Sequence, residues 1–163
     1  MKLLILSDSH GNLANMVAAV EKERPDMVLH LGDGWREARE LGYAYPGLPL
    51  EQVPGNCDFV PGELQERLMT VEDCRVMLCH GHTRRVKSGY HEAIQAAHER
   101  AADLLLFGHT HKAAGGVDGT LTWMNPGSIG DFRKPSYGVV LLGGEDGPRC
   151  YHGTVGLEPP EYL

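Results

Sequence analysis

The sequence of 163 residues lacks the features that mark several special classes of protein. Its four cysteines, Cys57, Cys74, Cys79 and Cys150, show no paired spacing, so no disulfide framework is expected. No basic and apolar leader precedes the first apolar run, no lipidation motif stands at either end, and the apolar runs are too short to span a bilayer. These absences predict a reduced, cytoplasmic protein with no membrane segment.

Positive charge is also scarce. The formal net charge is -7 and the pI is near 5.7, which argues against nonspecific nucleic-acid binding but not against a nucleotide-sized substrate. The chain has no internal repeat, and its length predicts a single domain over 1–163 that buries roughly 70% of its unfolded surface. Residues 157–163 are expected to form a frayed tail. No long insertion suggests a lid, so a shallow, open site is expected.

What the chain does have is a series of apolar runs that end on polar side chains. The first, Leu3–Leu6, is typical of a strand buried on both faces of a parallel or mixed sheet covered by helices. Ligands of open α/β sheets bind at the carboxyl ends of strands, where Asp8 and His10 stand. Because residues i and i+2 of an extended chain point the same way, we expect both side chains to leave the strand on one side. Asn12 is expected to cap the helix that follows.

Hydrophobic periodicity and turn residues predict the remaining elements. Helices are predicted over 13–24, 35–41 and 88–100, the last with Ser88 as its N-cap. Further strands are predicted over 27–31, 51–53, 64–71, 75–79, 103–107, 121–124, 137–142 and 149–155. Glycine-rich turns separate the last three strands, so the end of the chain is predicted to be β-rich and antiparallel.

Five of these strands end in oxygen or nitrogen donors next to glycine, at what should be one edge of a sheet. The seven donor residues are Asp8, His10, Asp33, Asn56, His80, His109 and His111. One zinc ion takes about four ligands, so seven donors suit two metal ions that share a carboxylate.

These motifs, in this order, resemble those of the calcineurin-like metallophosphoesterases, and especially the small bacterial and archaeal phosphodiesterases of the YfcE type. They read Asp8-x-His10, Gly32-Asp33, Gly55-Asn56-Cys57-Asp58, His80-Gly81-His82 and Gly108-His109-Thr110-His111. The likeness covers nearly the whole chain, including Asn125-Pro126-Gly127-Ser128. It implies an α/β fold in which two mixed β-sheets are flanked by helices as a single-domain α/β/β/α sandwich.

The resemblance also implies a ligand set and a reaction. One metal would be held by Asp8, His10, Asp33 and His111, and the other by Asp33, Asn56, His80 and His109, with Asp33 bridging. Such mixed donors favour Mn, Fe, Co, Ni or Zn over magnesium or copper(I), and Mn²⁺ is the prediction. The implied reaction is phosphodiester hydrolysis by a hydroxide that bridges the two metals, with Asp33 and Asn56 acting in catalysis as well as in binding.

Cys57 departs from the family pattern, since many relatives have at this position a histidine thought to protonate the leaving group. A thiol with a reference pKa of about 8.5 is a poor acid near neutral pH. We therefore expect a bias toward acidic leaving groups, or protonation by another group such as His82. The more ordinary interpretation of Cys57 is a small buried filler, and that of His82 is a structural hydrogen bond.

Several alternatives remain open. The activity could be that of a phosphomonoesterase or nucleotidase, or the chain could be a non-catalytic metal-binding scaffold similar to the retromer subunit of this fold. A dinucleotide-binding fingerprint fails because Glu37 replaces its third glycine. The expected partner is a small phosphoester, and self-association would fit the resemblance. Four other histidines are interpreted as ordinary core or surface residues: His30, His91, His98 and His152.

Overall fold

The computed structural model describes residues 1–156, so the predicted tail at 157–163 lies outside the described residues. Its three α-helices are α1 (Leu13–Glu23), α2 (Trp35–Ala44) and α3 (His91–Glu99). The side chain of Asn12 accepts a hydrogen bond from the Asn15 N–H at 3.0 Å, which confirms the predicted cap of α1. α3 begins later than predicted because two 3₁₀ turns, His82–Arg84 and Val86–Ser88, precede it. Among the described residues, no helix has the length and apolar character needed to cross a membrane.

Ten strands form the two sheets of the described chain. They are β1 (Lys2–Leu6), β2 (Met27–His30), β3 (Leu50–Gln52), β4 (Glu66–Val71), β5 (Cys74–Cys79), β6 (Leu104–Leu106), β7 (Ala113–Asp118), β8 (Leu121–Pro126), β9 (Ser136–Leu141) and β10 (Arg149–Thr154). Sequence patterns did not predict β7, whose alanines and glycines have low strand propensity. It is a strand because it pairs antiparallel with β8 along its whole length.

Both sheets are mixed. In the first sheet, with order β10-β9-β1-β2-β3, the strands β1, β2 and β3 are parallel, and β9 and β10 are antiparallel to their neighbours. In the second, with order β4-β5-β6-β8-β7, the three central strands are parallel and both edge strands antiparallel. The prediction of an antiparallel chain end is therefore correct for β9 and β10 and wrong for the pairing of β8 with β6.

Three apolar clusters arrange these elements in four layers. Leu3 and Ile5 of β1 pack with Leu78 of β5 in the cluster between the sheets, whereas Leu4 packs with Met16 of α1 on the outer face. A third cluster joins the outer face of the second sheet to α3. Because β1 alternates between two clusters, it is buried on both faces, as its sequence predicted. The α/β/β/α sandwich is confirmed.

Candidate metal centre

The loops that follow β1, β2, β5 and β6 meet at one edge of the sandwich, and backbone hydrogen bonds join them. The Asp8 N–H donates to Gly32 O at 2.9 Å, and the Gly108 N–H donates to His80 O at 2.9 Å. The His109 N–H donates to the Asp8 carboxylate at 3.0 Å, so the loop after β6 in the second sheet is tied to the loop after β1 in the first. The predicted convergence of strand ends is therefore present.

The backbone of this edge is left-handed at five of the predicted metal-binding residues. Their φ angles lie between 44° and 71°, at Asp8, His10, Asp33, His109 and His111. Such conformations cost about 1–3 kcal/mol each outside glycine and cluster at functional sites. The expectation that Asp8 and His10 extend from a strand in alternation is wrong, since β1 ends at Leu6 and the chain then coils. Both side chains reach the centre through a left-handed turn.

Two glycines keep the centre open for its carboxylates. A Cβ at Gly55 would lie 2.1 Å from Oδ1 of Asp33, and one at Gly108 would lie 2.8 Å from Oδ2 of Asp8. Real Cβ atoms do not approach so closely, so any side chain at either position would displace a carboxylate. These neighbouring glycines are a packing requirement of the site.

Asp8, His10 and His111 form one group, here called the exposed triad, whose donor atoms lie within 4.8 Å of one another. Oδ1 of Asp8 is 3.1 Å from Nε2 of His111 and 3.8 Å from Nε2 of His10. Oδ2 of Asp8 accepts from Ser7 and His109, whereas Oδ1 is buried without a hydrogen-bond partner among the described residues. A buried carboxylate oxygen left unpaired is costly, and a cation beside it would remove that cost.

Asp33, His80 and His109 form a second group, the buried triad, within the same 4.8 Å limit. Nε2 of His80 lies 3.3 Å from Oδ2 of Asp33 and 3.1 Å from Nδ1 of His109. Nδ1 of His80 lies 2.8 Å from the carbonyl oxygen of Leu31, which can only accept, so the ring donates there and directs Nε2 at the centre. Metal-binding histidines are commonly oriented in this way.

The two triads are parts of one constellation. Nε2 of His10 lies 3.9 Å from Oδ2 of Asp33, and Nε2 of His80 lies 3.8 Å from Oδ1 of Asp8. The structure thus gathers six of the seven residues predicted to bind metal. The seventh, Asn56, lies on the exposed rim, with its side-chain nitrogen 3.5 Å from Sγ of Cys57, and its role as a ligand stays a prediction.

The charges of the buried triad are strongly coupled. Burial opposes protonation of His80, but its hydrogen bond to Asp33 and the charge of Asp8 outweigh burial and raise the pKa of His80. Burial would raise the pKa of Asp33, yet hydrogen bonds from His80 and from the Cys57 backbone lower it well below the usual range. Burial and the charge of His80 lower the pKa of His109. A carboxylate this acidic among imidazoles is suited to a cation that takes the place of the proton.

His82 faces the buried triad but is poorly suited to donate a proton. Its ring centroid is 5.4 Å from that of His80 and 6.1 Å from that of His109. Burial and the charge of His80 lower its pKa, so the ring is neutral at neutral pH. A general acid must be protonated at the working pH, so His82 fits a neutral contact to substrate better than an acid. Its predicted place in catalysis stays a prediction.

Cys57 is exposed, so the interpretation of this residue as a buried filler is wrong. Its sulfur belongs to a third group with the donor atoms of His10 and Asp33, again within 4.8 Å of one another. Its backbone N–H donates to Oδ1 of Asp33 at 2.8 Å. The thiol therefore lies at the mouth of the candidate centre.

Asp58 supports the loop that carries Asp33. Its side chain accepts hydrogen bonds from the backbone N–H groups of Asp33 at 2.8 Å, Gly55 at 2.9 Å and Trp35 at 3.1 Å. One carboxylate thus joins the segment after β2 to the segment after β3. This contact positions Asp33.

A buried hydrogen-bond chain, not predicted from sequence, lies beneath the exposed triad. The Gly32 N–H donates to Nδ1 of His30 at 3.2 Å, Nε2 of His30 lies 2.9 Å from Oγ of Ser9, and Oγ of Ser9 donates to Glu37 at 2.7 Å. Glu37 also accepts a hydrogen bond from the Gly11 N–H, so it contacts both residues that flank His10 in the chain. Burial lowers the pKa of His30 to about 4, so the ring is neutral. The sequence signal for this hydrogen-bond chain was His30, a polar residue in the apolar strand β2.

The other three histidines lie outside the constellation, as their contexts predicted. His91 starts α3 on the surface, and His98 pairs with Asp118 at 2.9 Å. His152 lies 2.8 Å from the carbonyl oxygen of Asn125. The residues of the two triads fit divalent cations, because a buried unpaired oxygen, a strongly acidic carboxylate and imidazole nitrogens converge there.

Comparison with known proteins agrees with this geometry. Residues 1–146 match the family model of the calcineurin-like phosphoesterase superfamily domain. A probable metallophosphoesterase of Bacillus subtilis, YsnB, is 32% identical over 97% of this chain and 94% of its own length. A probable metallophosphoesterase of Mycoplasma pneumoniae is 30% identical over 82% of both chains.

Solved structures share the fold. A conserved Streptococcus pneumoniae protein described as a predicted phosphoesterase superposes with a TM-score of 0.70 at 27% identity, over 85% of this chain and 81% of its own. Vps29 of Entamoeba histolytica in complex with Zn²⁺ gives 0.75 at 18% identity, over 94% and 99%. An archaeal phosphodiesterase gives 0.71 at 21% identity, over 95% and 100%. With the motifs, the layers and the family match in agreement, this chain is a member of the calcineurin-like phosphoesterase superfamily.

Proposed function

We propose that this protein is a metal-dependent phosphodiesterase that uses two divalent cations, with Mn²⁺ as the preferred metal. The observation that carries the proposal is the constellation of two triads, in which a buried oxygen of Asp8 lacks a hydrogen-bond partner among the described residues. The exposed triad with Asp33 would hold one cation. The buried triad with Asn56 would hold the other, so that Asp33 bridges. Cations in such a pair supply a hydroxide nucleophile near neutral pH and neutralise phosphate charge.

The chain's own groups then determine which substrates react. His82, whose ring centroid is 5.4 Å from that of His80, would contact the phosphoryl group or leaving group as a neutral ring. Position 57 holds no imidazole, and partial desolvation together with the negative charge of Asp33 raises the pKa of the Cys57 thiol. A leaving group that departs without a strong acid must itself be acidic. The proposal therefore favours phosphodiesters with acidic alcohols, such as aryl diesters.

A cavity of about 490 Å³, whose lining begins at Asn12 two residues after His10, would offer room for the rest of the substrate. Its wall includes Asn12, Phe132, Arg133 and Lys134. Phe132 is 98% exposed and available for contact with an aryl group or a base. The two cationic side chains would attract the phosphate in a protein whose net charge is otherwise negative.

A substrate screen tests this proposal. Protein supplied with Mn²⁺ should hydrolyse aryl phosphodiesters faster than aryl phosphomonoesters, with cyclic nucleotides as a third class. Faster hydrolysis of monoesters would replace the diesterase assignment with a phosphomonoesterase or nucleotidase.

A non-catalytic scaffold is the second candidate, and the fold likeness to Vps29 favours keeping it. A scaffold has no need for a complete set of donors, whereas six of them converge here. Hydrolysis separates the two functions, because a metal-binding scaffold also holds cations, as the Zn²⁺ complex of Vps29 illustrates. Bound Mn²⁺ with no hydrolysis of any ester class would support the scaffold.

A further inference from the structure

The thiol of Cys57 lies among donor atoms that the proposed reaction does not assign to it. Its Sγ, a ring nitrogen of His10 and a carboxylate oxygen of Asp33 all lie within 4.8 Å of one another. His10 also belongs to the exposed triad, so the same imidazole lies near both the sulfur and the carboxylate of Asp8. A cation bound by His10 would lie within reach of the thiol.

A second observation independently indicates a ligand at this place. Oδ1 of Asp8 is buried without a hydrogen-bond partner among residues 1–156, and it lies 3.8 Å from Nε2 of the same His10. The imidazoles of His10, His80 and His111 lie 3.1 to 3.8 Å from this oxygen without donating a hydrogen bond to it, so a divalent cation would supply the missing partner. The same His10 also shares a group with the thiol.

The loop holds the sulfur in place. The Cys57 N–H donates to Oδ1 of Asp33 at 2.8 Å, and Asp58 accepts from the N–H groups of Asp33 and Gly55. The side-chain nitrogen of Asn56 lies 3.5 Å from Sγ. These contacts connect the thiol to the bridging carboxylate through backbone, so its location follows that of Asp33.

We propose that Cys57 is a further ligand of the cation beside His10 and Asp33, giving the centre a soft donor with selectivity for thiophilic cations such as Zn²⁺ and Cd²⁺. The inference rests on the proposed metal centre and extends it. Oxygen and nitrogen donors alone suit Mn²⁺ well, whereas a thiolate selects softer cations. The same chain would then bind Mn²⁺ for turnover while holding Zn²⁺ or Cd²⁺ more tightly.

The experiment uses Cd²⁺, because a thiolate bound to this cation gives a charge-transfer band in the ultraviolet. Wild-type protein should show the band together with stoichiometric Cd²⁺ binding. C57S should lose the band and bind Cd²⁺ about ten- to a hundredfold more weakly, the scale of losing a supporting group at a metal site. Its affinity for Mn²⁺ should change much less. C150S is the matched control and should keep the band, since Cys150 packs against the apolar core between the sheets.

Alkylation gives a second readout. Iodoacetamide should modify the exposed Cys57 in the metal-free protein, and bound Cd²⁺ should protect it, with peptide mass spectrometry identifying the residue. Stoichiometric Cd²⁺ or Mn²⁺ binding without a band and without protection would overturn the thiol ligand and leave the centre intact. A band that persists in C57S would also overturn it. A protein that binds neither cation would refute the centre and the thiol ligand together.

Discussion

The exposed triad and the buried triad use the same donor chemistry, but the fold holds them differently. The side chains of His10 and His111 are 39% and 45% exposed, whereas that of His80 is fully buried. His80 is oriented by the carbonyl of Leu31, and its partner Asp33 is anchored through a loop held by Asp58. Preorganised donors lose little freedom on binding, so we expect the buried triad to hold its cation more tightly. The exposed triad would exchange its cation and meet the substrate.

The largest expected effect comes from the residue that joins the two triads. Asp33→Asn should remove metal and turnover together, because an amide offers neither the charge nor the second oxygen ligand for two cations. Activity should fall at least about 10²-fold, the loss seen when one electrostatic stabiliser of a transition state is removed. Metal analysis and aryl diester hydrolysis measure both quantities. Asp118→Asn, on the surface next to His98, is the control that should retain both. Full turnover by Asp33→Asn would contradict the bridging role.

Paired histidine variants test the difference between the triads directly. His10→Ala should bind one equivalent of Mn²⁺ after dialysis, since the buried triad remains complete. His80→Ala should lose the tighter equivalent and also stability, because a fully buried side chain is removed from the core. Elemental analysis measures the bound equivalents of Mn²⁺, and urea unfolding measures the stability. If both variants lost the same equivalent with the same affinity change, the triads would be equivalent and the comparison would fail.

The hydrogen-bond chain beneath the exposed triad predicts an acid sensitivity. Burial lowers the pKa of His30 to about 4, against about 6.5 in the unfolded chain. Between these two pH values the imidazole is mostly protonated in the unfolded chain and mostly neutral in the folded protein. Stability from this residue is complete above about pH 6.5 and is lost as the pH falls toward 4, by about 2 kcal/mol at pH 5.

His30→Gln isolates this contribution, because glutamine keeps a neutral polar group that does not titrate. Urea unfolding of metal-free protein at pH 7 and pH 5 should show a smaller loss for the variant than for wild type. The raised pKa of His80 acts in the opposite direction, but it does so in both proteins and cancels in the difference. Equal losses would show that His30 is not held neutral.

The smallest expected effect concerns proton donation at the rim. Cys57→His should raise activity on alkyl phosphodiesters by up to about tenfold, less than the roughly 10²–10⁴-fold that a well-positioned general acid contributes, and change aryl diester hydrolysis less. The reason is that alkyl alcohols need a proton to leave, whereas acidic phenols do not. Ratios of kcat/KM for the two substrate classes give the measurement. An unchanged ratio would argue against the missing acid.

Periodicity predicted most of the helices and strands, and the place where ligands bind in α/β sheets predicted the gathering of strand ends, whereas the layers were implied by the family resemblance. The apolar run Leu3–Leu6 is followed closely by Asp8. Polar donor residues follow β2, β5 and β6 in the same way. The prediction failed at β7, where pairing with β8 outweighs the low strand propensity of alanine and glycine. The pattern of residues within one segment does not reveal which strand that segment will pair with.

The detailed geometry of the site could not be predicted from the sequence, for a different reason. Asp8 and His10 were expected to align by strand alternation, but both adopt left-handed conformations that only surrounding hydrogen bonds can impose. Glu37 and Ser9 lie 28 residues apart, and neither stands in a motif that pairs them. Such contacts are set by tertiary packing, which a linear reading of residue types does not contain.

The most direct test of the account is an anomalous difference map from crystals of the Mn²⁺-loaded protein. We expect two peaks, one among Asp8, His10 and His111 and the other among Asp33, His80 and His109. No peak at either triad, or a single peak remote from both Asp8 and Asp33, would contradict the two-cation centre.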